Sequence, residues 1–308
     1  MNEYFEIALA EPGRGTAFPA LATKSPPRSV ARGLTAVDHR RAGSGGRHHS
    51  RRPRIVSWFS CGTASAVNTK LVIAKYAATH DIAVVRCVVS EEDGDNDRFA
   101  RDCEPWFGLP ILSIRSDEYG SCEDVWRRTR YMSGVHGARC TVEMKKAVRF
   151  AFERAWQPDL QAFGYTADET KRVKRFREQN PEVRLVSMLV ERGLGKEDCH
   201  AIVERAGIDL PLMYRLGFEN ANCRGCVNAQ SPRYWNRTRR HFPEVFAARA
   251  ALSRELGVRL VKLTTGARER IYLDDLDPND HSEEPGFRQP ECSLLCHLAE
   301  REIDEAAA

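Results

Sequence analysis

Apolar residues along the chain fall into short β-branched runs separated by longer stretches with helical period. Arg54–Phe59 (RIVSWF) is the first run and stops at Ser60-Cys61-Gly62-Thr63; beyond it Val67, Leu71, Val72, Ala74 and Ala77 repeat at helical spacing over 64–78. Ile82–Val89 reads as a second buried strand, followed by the acidic loop Ser90–Asp95 and a helix ending near Trp106. Ile111–Ile114, Leu160–Tyr165 and Val183–Met188 supply the third, fourth and fifth strands. Short strands alternating with helices predict an α/β fold: a doubly wound, mostly parallel, Rossmann-like sheet with helices on both faces. Ligands of such sheets bind beyond the carboxyl ends of the strands, here just after Phe59, Val89, Ile114 and Tyr165. After about residue 190 the pattern changes to helices and cysteine-bearing loops, with Tyr234–Leu256 expected as one long helix.

Charge divides the chain again. Residues 1–54 carry ten Lys/Arg against four Asp/Glu, whereas the remainder is slightly acidic, so the formal net charge of +4 belongs to the N-terminal stretch. That stretch lacks hydrophobic periodicity, and residues 1–53 read as a disordered basic tail able to meet phosphates. The expected organisation is therefore this tail, an α/β domain over 54–190 and a helical cysteine-bearing region over 191–308. No apolar run approaches the roughly 18 to 20 residues of a membrane span, and the first residues lack a signal-peptide pattern, so a soluble cytoplasmic protein with no membrane partner is expected. The 10 cysteines, two pairs of them spaced CxxC and CxxxC, point to ligation or redox chemistry and not to a disulfide scaffold.

Three segments carry candidate chemistry. Ser60-Cys61-Gly62-Thr63-Ala64-Ser65 lies between the first strand and its helix, where backbone N–H groups and the helix dipole attract an anion, although small residues there also suit close packing. It is not the GxxxxGK[ST] phosphate loop. Cys223 and Cys226 can grip one zinc ion or one edge of an iron–sulfur cluster, with Cys140 as a third ligand. Cys292 and Cys296 stand near the C-terminus, and two cysteines at that spacing suit ligands one helical turn apart. Arg139, Lys145, Lys146, Lys171 and Arg172 are cations able to neutralise phosphate or sulfate oxygens. Cys61, Cys87, Cys103 and Cys199 fall in or beside apolar segments and read as packed thiols. The acidic loop 91–95 reads as exposed, and His136, His200 and His241 have no motif spacing.

Position and spelling together resemble the phosphoadenosine phosphosulfate (PAPS) reductase family of the adenine-nucleotide alpha-hydrolase superfamily. Ser60-Cys61-Gly62-Thr63-Ala64-Ser65-Ala66-Val67 is similar to its SxGxxxAV loop, with Ala64 in place of the acidic residue of ATP-using members. Ala138–Lys146 resembles its cysteine and basic segment, Phe163–Arg172 its strand-loop motif, and Leu216–Cys226 its glycine-aromatic turn and CxxC; the likeness covers about residues 54–230. The resemblance implies an adenine nucleotide (PAPS, APS or ATP) held at Ser60, Gly62, Thr63, Ser65, Arg139, Gly164, Lys171 and Arg172. It also implies a [4Fe-4S] cluster, or zinc in its place, on Cys140, Cys223 and Cys226. Thr141 stands where related cluster-bearing reductases have a second cysteine, and Cys296 or Cys292 is the candidate fourth ligand. Glu291-Cys292 resembles the start of the family's ECGxH tail, which implies Cys292 as nucleophile toward sulfate sulfur, with a thiol reductant such as thioredoxin or a sulfur donor as partner. Two alternatives accompany this reductase: ATP-dependent thiolation of a nucleic acid through the cluster, and a zinc-stabilised binding module without turnover.

Overall fold

The apolar runs assemble into one parallel five-stranded sheet. The computed structural model describes residues 51–134, 137–263, 269–280, 282 and 286–306; the basic stretch 1–50 and His136 lie outside them. In chain order, β1 (Arg54–Trp58), α1 (Thr63–Tyr76), β2 (Asp81–Cys87), α2 (Asp95–Phe107) and β3 (Ile111–Ile114) come first. Next are α3 (Cys122–Thr129), the short strands β4 (Ser133–Gly134) and β5 (Gly137–Ala138), α4 (Ala147–Trp156) and β6 (Leu160–Phe163). Then follow α5 (Thr170–Gln179), β7 (Leu185–Val186), α6 (Met188–Arg192), α7 (Lys196–Arg205) and α8 (Leu212–Arg215). The chain closes with α9 (Pro232–His241), α10 (Pro243–Glu255), β8 (Val261–Lys262), β9 (Arg270–Ile271) and α11 (Leu294–Glu305).

The sheet order is β3-β2-β1-β6-β7, and every pairing within it is parallel. This is a Rossmann-like α/β fold. β1 lies at the centre, which is why its run is apolar without alternation: Ile55 and Val56 point to opposite faces and both are fully buried. On one face Trp58 packs against Phe152 and Phe163. On the other, Ile55 and Phe59 join Val67 and Leu71 of α1. Residues Arg52–Ala308 form a single compact unit, so the helices after residue 190 share the core of the sheet; Cys199, Ile202 and Val203 of α7 belong to it.

Two elements depart from the sequence expectation. The fifth strand shrinks to Leu185–Val186 because Asn68 Oδ1 takes the N–H of Met188 at 3.1 Å and the chain turns into α6. The long helix expected over Tyr234–Leu256 is two helices, broken at Phe242-Pro243. Proline has no N–H to continue the ladder and forces its predecessor out of helical geometry; Phe242 sits at φ −138°, ψ 63°.

Candidate functional site

The strand order reverses beside β1: β2 and β3 extend to one side, β6 and β7 to the other. The crevice of a doubly wound sheet therefore opens between the carboxyl ends of β1 and β6. The loop 60–65 leaves β1 at this point. Cys61 adopts φ +55°, a left-handed conformation uncommon for any residue but glycine, and so turns the chain sharply into α1. Ser65 knits the turn together: its hydroxyl accepts from the N–H of Ser60 (3.0 Å) and of Gly62 (3.3 Å) and donates to the Gly62 carbonyl (2.8 Å). Gly164, just after β6, meets this loop backbone to backbone, since a Cβ there would lie 2.7 Å from Ser65 N and Cα.

The predicted loop residues separate into two roles. Ser60 is exposed at the mouth. Thr63 is fully buried; its hydroxyl pairs with His200 Nδ1 at 2.9 Å, and the Tyr214 hydroxyl bonds to its backbone and side chain. Thr63 and Ser65 thus shape the loop from within. Gly62 gives Tyr214 room, because a Cβ there would stand 3.0 Å from the tyrosine oxygen. His200, which no sequence spacing singled out, is therefore the support behind the loop; burial pushes its pKa down to about 4 and keeps it neutral.

The predicted cations are mostly engaged locally. Arg139 pairs with Glu143 at 2.7 Å, and Arg172 with Glu169 at 2.6 Å while lying over the Tyr165 ring. Lys171 is exposed on α5. Lys145 is the one placed toward the cysteines: it donates to Glu92 at 2.9 Å and its charge acts on Cys61, Cys140 and Cys226.

Four cysteines meet at the edge of the sheet beyond β2: Cys122, Cys140, Cys223 and Cys226. The first had no place in the sequence reading because no short-range spacing connects it to the others. Cys122 opens α3, where the Ser121 hydroxyl caps the helix by accepting from Asp124 N–H. Cys140 directly precedes a π-helical turn over Thr141–Lys146, an irregularity common at functional sites. Glu91, just after β2, ties the pieces together. Its carboxylate accepts from the backbone of Cys122 and Glu123, and its carbonyl accepts from Arg224 N–H within the CxxC loop at 2.9 Å. Burial raises the Glu91 pKa, but these hydrogen bonds overcome it and the net shift is downward. The acidic loop expected at the surface is, at Glu91 and Glu92, an inner brace.

The CxxC loop has its own supports. The Tyr234 hydroxyl accepts from Cys226 N–H at 2.7 Å and donates to the Cys223 carbonyl at 3.3 Å. Gly225 is required between the two cysteines, because it takes φ +63° and a Cβ would press on Val245 Cγ1 at 2.8 Å.

The thiols perturb one another. Side-chain hydrogen bonds with Cys140 and Cys223, together with burial, push Cys122 far above its ordinary range, and the same contact with Cys122 lowers Cys140. Burial and the neighbouring Cys223 raise Cys226 to about 11. Burial disfavours the Lys145 charge, but Glu92 and Cys223 outweigh it and hold the ammonium protonated. The indole N–H of Trp126 is buried without a strict hydrogen-bond partner, and the sulfur it faces is Cys140. Arg249, 5% exposed, lies over that indole at 4.6 Å. The Lys145 ammonium and the otherwise unmatched Trp126 N–H beside these thiols are what anionic sulfur ligands call for.

The C-terminal cysteines form a separate site. Cys292 and Cys296 are joined in a disulfide, so Cys296 does not complete the set with Cys140, Cys223 and Cys226; Cys122 stands there instead. Cys292 contacts Arg205, Ser293 and His297, none of them in the loop 60–65. Cys292, His297 and Glu300 offer ligand atoms within 4.8 Å of one another, a group that could hold a metal ion, and are the only such trio among the described residues. Cys61, Cys103 and Cys199 are buried free thiols and Cys87 is half-buried.

Among the described residues no helix is long and apolar enough to cross a membrane. The chain matches no protein-family model and no curated protein.

Proposed function

We propose that this chain is a PAPS reductase-like enzyme. It binds an adenine nucleotide against the loop 60–65 and carries out sulfur reduction or transfer beside an iron–sulfur cluster held by Cys122, Cys140, Cys223 and Cys226. The observation that carries the reading is the convergence of those four cysteines with Lys145, whose partner Glu92 follows β2 and whose charge acts on Cys61 of the loop. Four cysteine thiolates suit a polynuclear cluster, in which each binds a different iron, and also suit a single zinc; the bound metal distinguishes the two. Such a cluster, when bound, supplies an electrostatic or redox partner to the nucleotide site; four cysteine ligands would leave no iron open for a sulfide.

The residues of the chain divide the remaining tasks. Gly62 and Gly164 let the backbone close at the switch point, Ser65 holds the turn, and Ser60 offers a hydroxyl to an incoming phosphate. Lys145 balances negative charge between loop and cysteines. In the reductase reading the reduced Cys292 thiolate attacks the sulfate sulfur, the sulfur–oxygen bond to the nucleotide breaks, and adenosine bisphosphate leaves with that electron pair. Arg288 draws the tail toward the nucleotide edge, through Glu197 at 3.1 Å and Asp168 at 3.6 Å.

One observation favours a second reading, thiolation of nucleic acid. A cavity of about 610 Å³ is lined by Arg215, Arg233, Arg237 and Arg240, with Tyr214 forming its boundary toward the loop. Phosphodiester binding there would weaken steeply with salt.

The deciding experiment is iron and acid-labile sulfide analysis of anaerobically purified protein, paired with titration of PAPS and ATP. About four irons per chain, lost in Cys122→Ser, with micromolar nucleotide binding is the expected result. Iron-free protein that binds neither nucleotide would overturn the reading, and bound zinc without turnover would replace it with the binding-module alternative.

A further inference from the structure

The surroundings of the tail disulfide are unequal on its two sides. Ser293 caps α11, accepting from the N–H of Cys296 at 3.3 Å, so Cys292 lies just outside the helix N-terminus and Cys296 in its first turn. Cys296 is fully buried, whereas Cys292 is partly accessible. Two donors converge on Cys292 Sγ: Arg205 Nη1 at 2.6 Å and the imidazole of His297, whose Nε2 stands at 3.6 Å. The tautomer follows from the neighbours. Arg205 Nη2 reaches His297 Nδ1 at 2.9 Å, so Nδ1 accepts and the proton resides on Nε2, toward the sulfur. The Glu300 carboxylate accepts from the same Nη2 at 2.5 Å and lies 3.6 Å from His297 Nδ1, on the same side of the guanidinium as the imidazole.

A disulfide sulfur is a weak acceptor, and a guanidinium, an N–H and a helix terminus aimed at one are matched to the thiolate that appears when the bond opens. A structural role explains this less well, since a cross-link of sequence separation 4 closes a very small loop and gives the smallest entropic return. A resident metal explains it less well too, because Arg205 already occupies the place between Cys292, His297 and Glu300 and brings the positive charge a metal would bring.

We propose that Cys292 and Cys296 are a redox-active dithiol–disulfide couple, with Cys292 as the exchanging sulfur and Cys296 as the resolving one. In reduction, a thiolate of an external dithiol attacks Cys292 Sγ. The bond to Cys296 breaks, and Cys296 leaves with the electron pair and takes up a proton. The second thiolate of the reductant then attacks its own sulfur in the mixed disulfide and releases Cys292 as a thiolate beside Arg205. The external dithiol is oxidised to its disulfide; two electrons and one proton pass to the protein, and the dithiol's other proton is released to solvent. The couple stands independently of the nucleotide reading, because its chemistry lies wholly in α7, α11 and the turn between Cys292 and Cys296.

The test uses the full chain equilibrated in mixtures of reduced and oxidised dithiothreitol, with the state of each cysteine read by differential alkylation and peptide mass spectrometry. Cys292 and Cys296 should gain and lose label together, reversibly, while the protein stays folded by circular dichroism. In the reduced protein Cys292 should be alkylated first, with a pH midpoint below the ordinary thiol value of about 8.5. Arg205→Met should slow that alkylation at pH 7 at least about tenfold, and Arg205→Lys should restore part of it. A disulfide that resists reduction until the chain unfolds, or Cys292 reactivity unchanged by Arg205→Met in folded protein, would overturn the proposal.

Discussion

Two groups of cysteines in this molecule use the same side chain in opposite settings. Cys122, Cys140, Cys223 and Cys226 gather from distant parts of the chain, are braced by backbone hydrogen bonds through Glu91 and Tyr234, and face a lysine and an indole. Cys292 and Cys296 are one helical turn apart and face a guanidinium and an imidazole. What differs is reach. Sulfurs brought together by the fold are held at fixed positions by segments far apart in the chain, whereas two sulfurs four residues apart that flank a helix N-terminus are bonded to each other. The lesson is that the number of cysteines says little about their work until the donors around each are known.

The comparison can be broken most forcefully at the inner group. Cys226→Ser and Cys122→Ser should each remove essentially all bound iron, while Cys296→Ser should leave iron content unchanged; equal loss in all three variants would erase the distinction between the groups. Gly225→Ala tests the loop without touching sulfur. Its left-handed backbone and the contact with Val245 should cost about 1 to 3 kcal/mol in urea unfolding and lower iron occupancy with it.

A comparable cost, about 1 to 3 kcal/mol, is expected for Gly164→Ala, with the loss falling on nucleotide affinity as the loop is pushed from β6. The smallest effect is a pH dependence. His200 has its folded pKa depressed to about 4 against an unfolded value of 6.5, so the unfolded chain binds the extra proton in between. Stability should be unaffected by this group above about pH 6.5 and fall as pH drops from there toward 4, by at most about 3 kcal/mol. Denaturant midpoints measured at pH 7 and pH 5 should show the decline, and His200→Gln should flatten it.

The sheet was largely legible in the sequence, because RIVSW, the run at 81–87 and ILSI are short, mostly apolar and β-branched runs that need no long-range information to be read as strands. Helix ends were less so. Pro243 announced the break between α9 and α10, but the apolar period runs across it and masks the signal. The site was legible where its parts are neighbours, as in 60–65 and the CxxC. It was not where the fold does the assembling: Cys122 and Cys140 are separated by a helix and a hairpin, and His200 reaches Thr63 only because α7 packs on α1. Lys145 and Arg139 look alike in the sequence. The π-helical turn sends one toward the cysteines, while the other meets Glu143. The one local signal at Cys122 is its place directly after the helix-capping Ser121.

The placement of the inner cysteines also orders the events of biosynthesis. β1 gains its second neighbour once β6 at 160–163 has been made, so the sheet can close around residues 54–186 while the remainder is still being synthesised. Cys226 emerges long after Cys122 and Cys140 are already held against that sheet. A nascent chain therefore displays a half-built sulfur site for the time it takes to translate the intervening segment. Protection of those thiols from oxidation is most demanding in that interval.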